Sequence, residues 1–192
     1  AELLDKALKV IPNPEMPEIE IKKPKQHNFS TNNHAKLKIT PYVLGEKVAT
    51  RQAYGRALAN LANADKKILA VDAEVSNSTH SEEVKKETPD QFIEAFIAEQ
   101  NMASLSLGLE KKGFNVFASS FAAFLSRSHD QIRMAALSKP KNLTFSGSHA
   151  GVSIGEDGSS QMGLEDISLF RSLPNSIVLY PSDSVSTEKL TY

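Results

Sequence analysis

Cysteine is absent from the 192 residues of the chain. Disulfide bonds, thiolate metal sites and a cysteine nucleophile are therefore excluded, and the composition fits a reducing compartment such as the cytoplasm. Net charge is almost absent as well, at −1, so no overall field attracts nucleic acid or an acidic membrane surface. Long apolar runs are also missing, because the run at residues 121–125 falls far below the roughly 18 residues of a membrane-spanning helix.

Glycine is absent before Gly45, whereas five of the nine prolines lie within the first 41 residues. Proline disfavours helix and cannot donate to a sheet ladder, so we expect residues 1–44 to form an extended linker to something upstream. A hydrophobic fraction of 40% and a charged fraction of 23% are typical of a globular protein. Residues 45–192 are long enough for one domain with a hydrophobic core.

Short apolar runs alternate with segments of helical periodicity from Thr50 onward. The pattern predicts helices at 50–64, from Glu99 to just before Gly113, at 122–137 and at 164–172, and apolar strand-like runs at 68–71, 92–97, 116–118, 143–145 and 177–180. This order predicts an α/β fold with a mostly parallel sheet and helices on both faces. Because ligands of such sheets bind beyond the carboxyl ends of the strands, the residues after each strand are the candidates for function.

One candidate is a glycine-rich segment, since five of the nine glycines fall between positions 147 and 163. Such a loop between a strand and a helix can present backbone N–H groups to an anion. It matches neither the dinucleotide-binding nor the phosphate-loop pattern, so a flexible turn explains the glycines equally well. His149 and Asp157 lie in this segment. No two histidines show metal-ligand spacing, so we expect no metal site here.

Two further candidates lie at predicted strand ends. Phe121 and Phe124 are spaced to share one helix face and could form a flat apolar wall, although the pattern alone favours core packing for such a pair. Glu99 follows the apolar stretch 95–98 and begins a helix. Burial disfavours a charged carboxylate whereas a helix start favours it, so the pattern alone leaves its state open.

Several segments, in this order and spacing, resemble transketolase. They read Phe-Ile-Ala-Glu-Gln-Asn-Met at 96–102, Ser-Ser-Phe-Ala-Ala-Phe at 119–124, Asp-Gln-Ile-Arg-Met-Ala-Ala at 130–136 and Gly-Ser-His-Ala-Gly-Val-Ser-Ile-Gly-Glu-Asp-Gly at 147–158. Upstream, Ala-Thr-Arg-Gln-Ala-Tyr-Gly at 49–55 and Asn-Ser-Thr at 77–79 fit the same family. The resemblance covers about residues 42–192. The Ser-Gln-Met ending of the loop is similar to the shorter, animal-type branch.

The resemblance implies the pyrimidine-binding middle domain of a three-domain enzyme with the thiamine diphosphate-binding fold. Such an enzyme transfers a two-carbon ketol unit from a ketose phosphate to an aldose phosphate. It implies that Glu99 is catalytic and hydrogen-bonds N1′ of the cofactor's aminopyrimidine. The cofactor contacts it implies are Phe124, Phe121, Gln161 and Glu74, and the substrate contacts are Arg51, Ser78 and His149 at the phosphate and Asp157 at a hydroxyl. Ala73-Glu74 stands where the family usually has Gly-Asp, which makes that carboxylate one methylene longer.

The resemblance also implies what lies outside this chain. The family's diphosphate and its Mg²⁺ or Ca²⁺ bind a Gly-Asp-Gly motif in the preceding domain, and the chain contains no Gly-Asp-Gly. We therefore expect no metal ligand here and a homodimer in which the two halves of the cofactor site come from different subunits. The chain is also expected to stop before the third domain and to be inactive alone.

Two alternatives remain open. A related thiamine diphosphate enzyme, such as a dihydroxyacetone synthase, a deoxyxylulose-phosphate synthase or a dehydrogenase beta subunit, would share the fold. Arg51, Ser78 and His149 together favour transketolase over these. A non-catalytic assembly module would also keep the fold, but the combination of Glu99 with Phe124 argues against it.

Overall fold

The computed structural model of the chain describes residues 2–10 and 37–192. A helix, α1, spans Glu2–Val10, so the extended conformation predicted for residues 1–44 is wrong there. The segment is rich in helix-forming residues, and Lys6 pairs with Glu2 at 3.2 Å across one helical turn. The prolines between positions 12 and 24, which favoured extension, lie outside the described residues. Residues 37–49 contain neither helix nor strand.

Helices and strands alternate through the rest of the chain. The elements are α2 (Thr50–Ala64), β1 (Ile68–Asp72), α3 (Ser76–Thr79), α4 (Glu82–Glu87), β2 (Phe92–Glu94), α5 (Glu99–Lys111), β3 (Asn115–Phe121), α6 (Ala122–Leu125), α7 (His129–Leu137), β4 (Leu143–Ser148), α8 (Asp166–Arg171) and α9 (Ser184–Thr191). The four strands form one parallel sheet in the order β2-β1-β3-β4, which confirms the predicted α/β class. Within the two described ranges, no helix has the length and apolar character needed to cross a membrane.

The sheet is covered on both faces, as the alternation of strands and helices predicts. On one face, α5 and α7 pack against β1 and β3. The buried residues of this cluster include Val71, Met102, Val116, Ala118 and Ile132. On the other face, α2 and α4 pack against β1. The buried residues there include Tyr54, Leu58, Ile68, Ala70 and Val84. All of β1 is buried, which explains why its sequence is a continuous apolar run without alternation.

The helix predicted at 122–137 is interrupted. A 3₁₀ turn, Ser126–Ser128, separates α6 from α7. The hydroxyl of Ser126 donates to the carbonyl of Ala123 over 2.7 Å, and that of Ser128 donates to the carbonyl of Leu125 over 3.1 Å. Serine hydroxyls that bond to nearby carbonyls compete with the helical hydrogen bonds, and this accounts for the break.

The strand predicted at 177–180 is not formed. The segment has no ladder hydrogen bond to β4 in the part of the chain that the structure describes, and Ile177 is 85% exposed. Asn175 just before it has a left-handed backbone with φ of 60°, and the hydroxyl of Ser176 donates to the carbonyl of Phe170 in α8 over 2.7 Å. This turn fixes the chain to α8 ahead of the segment. An apolar run predicts burial but does not specify a pairing partner.

Candidate functional site

The carboxyl ends of the four strands lie at one edge of the sheet because all four strands are parallel. Most of the site residues predicted from the sequence follow these ends directly. Ser78 lies in α3 after β1, Glu99 begins α5 after β2, Phe121 ends β3, Phe124 lies in α6 and His149 follows β4. Sheet topology therefore brings together residues that are distant in sequence.

Two phenylalanine rings form a flat apolar surface at this edge. The rings of Phe121 and Phe124 are stacked, with centroids 5.0 Å apart and planes 9° from parallel. The imidazole of His149 lies beside Phe121, with a centroid separation of 4.2 Å. Phe121 is buried, whereas Phe124 is half-buried. A stacked pair with one accessible ring suits a planar aromatic ligand.

Close packing explains two of the glycines in the glycine-rich segment. A Cβ atom on Gly163 would lie 2.7 Å from the Cβ of Ala122, and a Cβ on Gly147 would lie 3.0 Å from the Cα of Ala122. The chain on both sides of the loop therefore approaches the start of α6 at a distance that a side chain would prevent. This approach holds His149 against the phenylalanine pair.

Glu99 is a buried carboxylate, only 5% exposed. Its Oε1 lies 3.4 Å from Nη1 of Arg127, and the same guanidinium lies 5.4 Å from the ring centroid of Phe124. The apolar stretch before Glu99 does not bury it, because Phe96 and Ile97 are 65% and 72% exposed. The guanidinium of Arg127 thus links the buried carboxylate to the aromatic surface.

Arg51 connects three elements at the other end of the site. Its Nη1 donates to Nε2 of His149 over 2.9 Å and reaches the carbonyl of Ser78 at 3.5 Å. Burial lowers the pKa of His149, the nearby Arg51 lowers it further, and Asp157 opposes the shift. One permanent cation, one neutral imidazole and one hydroxyl-bearing turn therefore lie together, a combination that suits an oxyanion such as phosphate.

A buried carboxylate at the end of β1 holds the turn that carries Ser78. Asp72 is fully buried and accepts hydrogen bonds from the Val75 N–H at 2.8 Å, the Thr79 hydroxyl at 2.7 Å and the Ser81 hydroxyl at 2.8 Å. Desolvation raises the pKa of Asp72, and these hydrogen bonds oppose that shift. The three bonds fix α3 and the residue after it.

Three predicted site residues lie at the margin. Glu74 is exposed, has a left-handed backbone with φ of 62°, and donates its N–H to Glu94. The described residues show no contact between Glu74 and the aromatic surface. Asp157 is exposed at the end of the turn Gly155–Asp157, and Gln161 is half-buried in the turn Ser159–Gln161, which packs against α6.

Three residues of the site were missed by sequence reasoning. Arg127 comes three positions after Phe124, a spacing that places two residues on one face of a helix. Ser148 directly precedes His149, and its hydroxyl lies 2.9 Å from the imidazole Nδ1. Asp72 is the last residue of a buried strand, the position at which a polar side chain most often serves a site. These positions in the sequence are the signals from which the three residues could have been predicted.

The arrangement of the described residues fits an aminopyrimidine and a phosphate group. The stacked pair and the buried Glu99 offer a planar apolar surface beside one carboxylate. In residues 2–10 and 37–192, no group of three or more histidine, aspartate and glutamate side chains is placed to hold a metal.

Comparison with known proteins identifies the class of domain. The family model described as the transketolase pyrimidine binding domain matches residues 46–192. The chain belongs to this family, whose α/β thiamine diphosphate-binding fold agrees with the parallel sheet described above.

Individual relatives carry the same name. The chain is 58% identical to human transketolase over 77% of its own length and 24% of the relative's length. It is 53% identical to mouse transketolase-like protein 2 over 85% of its length and 26% of the relative's. A solved structure described as a split-gene transketolase, inactive beta4 tetramer, matches with a TM-score of 0.66 and 37% identity, over 76% of this chain and 46% of that one. The chain thus spans about a quarter of the length of the curated relatives that it matches.

Proposed function

We propose that this chain supplies the pyrimidine-binding part of a transketolase, a thiamine diphosphate-dependent enzyme that transfers a two-carbon ketol unit from a ketose phosphate to an aldose phosphate. The observation that carries the proposal is the buried carboxylate of Glu99, which Arg127 links to the stacked rings of Phe121 and Phe124. The 58% identity to human transketolase supports it. The cytoplasmic location stays a prediction.

In this proposal, Glu99 faces N1′ of the aminopyrimidine. A buried carboxyl group can hold a proton at that nitrogen and return it, because water does not compete for the hydrogen bond. Phe124 stacks on the pyrimidine ring and Phe121 supports it from behind. Bound thiamine diphosphate would supply the thiazolium carbon that attacks the ketose carbonyl. Gln161 and Glu74 are the further cofactor contacts that we propose.

Arg51, Ser78 and His149 hold the phosphate of the sugar in the same proposal. Arg51 supplies a permanent, planar set of donors, and the Arg51–His149 contact at 2.9 Å already places both side chains at one point. Asp157, which is exposed at the loop, accepts a hydrogen bond from a substrate hydroxyl. The phosphate end and the reactive end are then joined through the contact of His149 with Phe121.

The diphosphate and its Mg²⁺ or Ca²⁺ would bind another domain, and a homodimer would complete the cofactor site. The described residues contain no acidic cluster for a metal, and Phe96 and Ile97 beside Glu99 leave apolar surface for a partner domain to cover.

The test is Glu99→Gln in an enzyme that contains this chain together with a diphosphate-binding domain. Glutamine keeps the volume and one hydrogen bond but cannot exchange a proton with N1′. Turnover should fall by ~10²–10⁴-fold with little change in sugar-phosphate affinity, and excess cofactor should not restore it. Deuterium exchange at the thiazolium C2 position measures activation directly.

Glu83→Gln, which changes a half-buried carboxylate on α4 that pairs with Lys86, is the matched control and should leave exchange unchanged. If Glu99→Gln exchanges at the wild-type rate, Glu99 is an ordinary helix-start carboxylate and the mechanism is wrong. If the wild-type enzyme shows no accelerated exchange, the chain is an assembly module.

A further inference from the structure

The two ring nitrogens of His149 have different partners, and together these partners specify one protonation state. Nε2 lies 2.9 Å from Nη1 of Arg51, and Nδ1 lies 2.9 Å from the hydroxyl oxygen of Ser148. A guanidinium has N–H donors and no acceptor. Nε2 must therefore accept the hydrogen bond and carry no proton, since a protonated imidazole would place two donors against each other.

The hydroxyl of Ser148 completes the assignment. It donates to the carbonyl of Ser120 over 3.4 Å, which leaves its oxygen lone pairs to accept the Nδ1–H of His149. Ser148 is the last residue of β4, opposite Phe121 in the parallel ladder. The sheet therefore fixes the position of this hydroxyl, and the hydroxyl in turn fixes the orientation of the ring.

We propose that Ser148 is a positioning residue that holds neutral His149 in the Nδ1–H tautomer, so that Nε2 retains Arg51, and that His149 takes up a proton at Nε2 when a phosphate group displaces this contact. The second half rests on the proposed function, because it assumes that the ligand at Arg51 is a phosphate.

The expected proton uptake follows from the exchange of partners at Nε2. A phosphate oxygen that accepts the Arg51 N–H groups removes a donor from Nε2 and leaves an acceptor in its place. A proton taken from solvent onto Nε2 then makes a charge-assisted hydrogen bond to the anion. In this step the lone pair of Nε2 forms the new N–H bond, and the hydronium ion or buffer acid that gives up the proton keeps the electron pair of its broken bond.

The charged groups around the imidazole agree with a neutral free state. Arg51 faces His149 from α2 and Asp157 faces it from the glycine-rich loop, while the Phe121 ring on β3 covers one side. Burial and Arg51 lower the pKa of His149, and Asp157 only partly offsets them. A bound anion would place negative charge next to Nε2, where the positive charge of Arg51 is the nearest charge in the free protein, and would favour the protonated imidazole.

The first experiment reads the tautomer without any ligand. The ¹⁵N chemical shifts of the His149 imidazole, measured by long-range NMR correlation in the 192-residue chain at pH 7, should show a protonated Nδ1 and an unprotonated Nε2. Ser148→Ala should produce a measurable Nε2–H population, and Ser148→Thr, which keeps the hydroxyl, should restore the wild-type spectrum. Ser153→Ala, in the exposed part of the loop, is the matched control and should change nothing.

An Nε2–H tautomer or a doubly protonated ring in the wild-type chain would overturn the proposal. A Ser148→Ala spectrum identical to the wild type would show that Arg51 alone fixes the ring and would overturn the role of Ser148. If Ser148 had only a structural role, Ser148→Ala would shift or broaden resonances throughout the domain. Ser148→Thr would then not restore the wild-type tautomer of His149.

The second experiment measures proton uptake with inorganic phosphate as the probe. The ¹⁵N chemical shifts of His149, recorded about one pH unit above its measured pKa, should change from an unprotonated to a protonated Nε2 as phosphate is added, and they report this proton independently of the ionisation of the phosphate itself. Binding without uptake would overturn the second half of the proposal. Absence of phosphate binding would reject both that half and the proposed phosphate contacts, while the tautomer measurement would still decide the role of Ser148.

Discussion

At the scale of single residues, Arg51 affects several of its neighbours. It contacts His149 and the carbonyl of Ser78, and it also lowers the pKa of His80, where burial is the larger cause. One exposed arginine therefore adds to the effect of burial in lowering the pKa of two histidines from different strand ends.

We expect Arg51→Ala to raise the pKa of His149 toward its ordinary value of 6.5. The substitution removes the neighbouring cation and lets water reach the ring, and both changes favour the protonated form. NMR titration of the imidazole Cε1–H resonance measures this pKa. Arg56→Ala, on the same helix but exposed and away from His149, is the control and should leave the titration unchanged.

The same shift affects stability. Because the folded-state pKa of His149 is lowered, the unfolded chain binds this proton more readily, so stability decreases as pH falls through 6.5 toward the lower folded value. Arg51→Ala should make the loss of stability between pH 6.5 and the folded-state pKa smaller. If the pKa of His149 in the variant is unchanged or lower than in the wild type, this account of the site is wrong.

At the scale of elements, α2 is held against the turn after α3 at a glycine. A Cβ atom on Gly55 would collide with the carbonyl oxygen and Cβ of His80. Gly108, in the exposed middle of α5, has no atom within 4 Å of the same added carbon. Alanine at Gly55 therefore tests the effect of close packing, whereas alanine at Gly108 tests the effect of helix propensity alone.

We expect Gly55→Ala to lower the free energy of unfolding by roughly 1–3 kcal/mol, because the added methyl group forces two packed elements apart. Gly108→Ala should raise it by about 0.5–1 kcal/mol, since alanine favours helix and nothing is displaced. Urea denaturation of both variants measures the two changes. Equal effects of the same sign would show that α2 does not approach His80 as described.

The segment before α2 and the helix α9 are joined by one buried carboxylate. Glu188 of α9 is 2% exposed. Its Oε1 accepts from the Thr40 N–H at 2.8 Å and from the Tyr192 hydroxyl at 2.8 Å. Burial, the largest single cause, opposes the charge of Glu188, but the hydrogen bonds from Thr40, Tyr192 and Tyr42 together outweigh it and lower the pKa of Glu188. Residues 37–40 are thereby fixed to α9.

We expect Glu188→Ala to cost about 1.5–3 kcal/mol of stability at pH 7, the range for hydrogen bonds to a charged group. Glu188→Gln should cost less, because both hydrogen bonds go to a single oxygen that glutamine retains. A lowered carboxylate pKa stabilises the fold above the ordinary value of 4.5 and loses that contribution as pH falls through the folded value. The difference in the free energy of unfolding between wild type and Glu188→Gln, measured by urea denaturation, should therefore become smaller below pH 4.5. If this difference stays constant with pH, the charge of Glu188 does not stabilise the fold.

At the scale of the whole molecule, apolar surface lies exposed beside the candidate site. Phe96 and Ile97 are 65% and 72% exposed at the carboxyl edge of the sheet, directly before Glu99. Such a surface beside a buried carboxylate is typical of a domain interface.

We expect the chain to self-associate at high concentration and Ile97→Asp to weaken this association, because a charge at the centre of an apolar contact must be desolvated. Sedimentation velocity over a range of concentrations measures it. Asn175→Asp adds the same charge at an exposed turn and leaves the apolar surface intact, so it should behave as wild type. A strictly monomeric wild-type chain would contradict this use of the surface.

The sequence alone indicated the elements whose signals are local. The predicted helix at 50–64 coincides with α2, and α5 begins at Glu99 as predicted, because apolar periodicity reflects one helix face against the core. The apolar runs at β1 and β3 were also identified correctly, and their alternation with helices determined the parallel, two-sided sheet. The family motifs around Glu99, Phe124 and His149 carried the functional prediction.

Only the tertiary structure decided how distant residues meet. The ion pair of Arg127 with Glu99 and the hydrogen bond of Arg51 to His149 join different elements, and no local pattern encodes either contact. The unpaired segment at 177–180 and the break before α7 were mispredicted for a related reason. Apolar character and periodicity measure the tendency to be buried, whereas strand pairing and helix continuity also depend on which backbone groups find hydrogen-bond partners, and that is settled only when the whole chain packs.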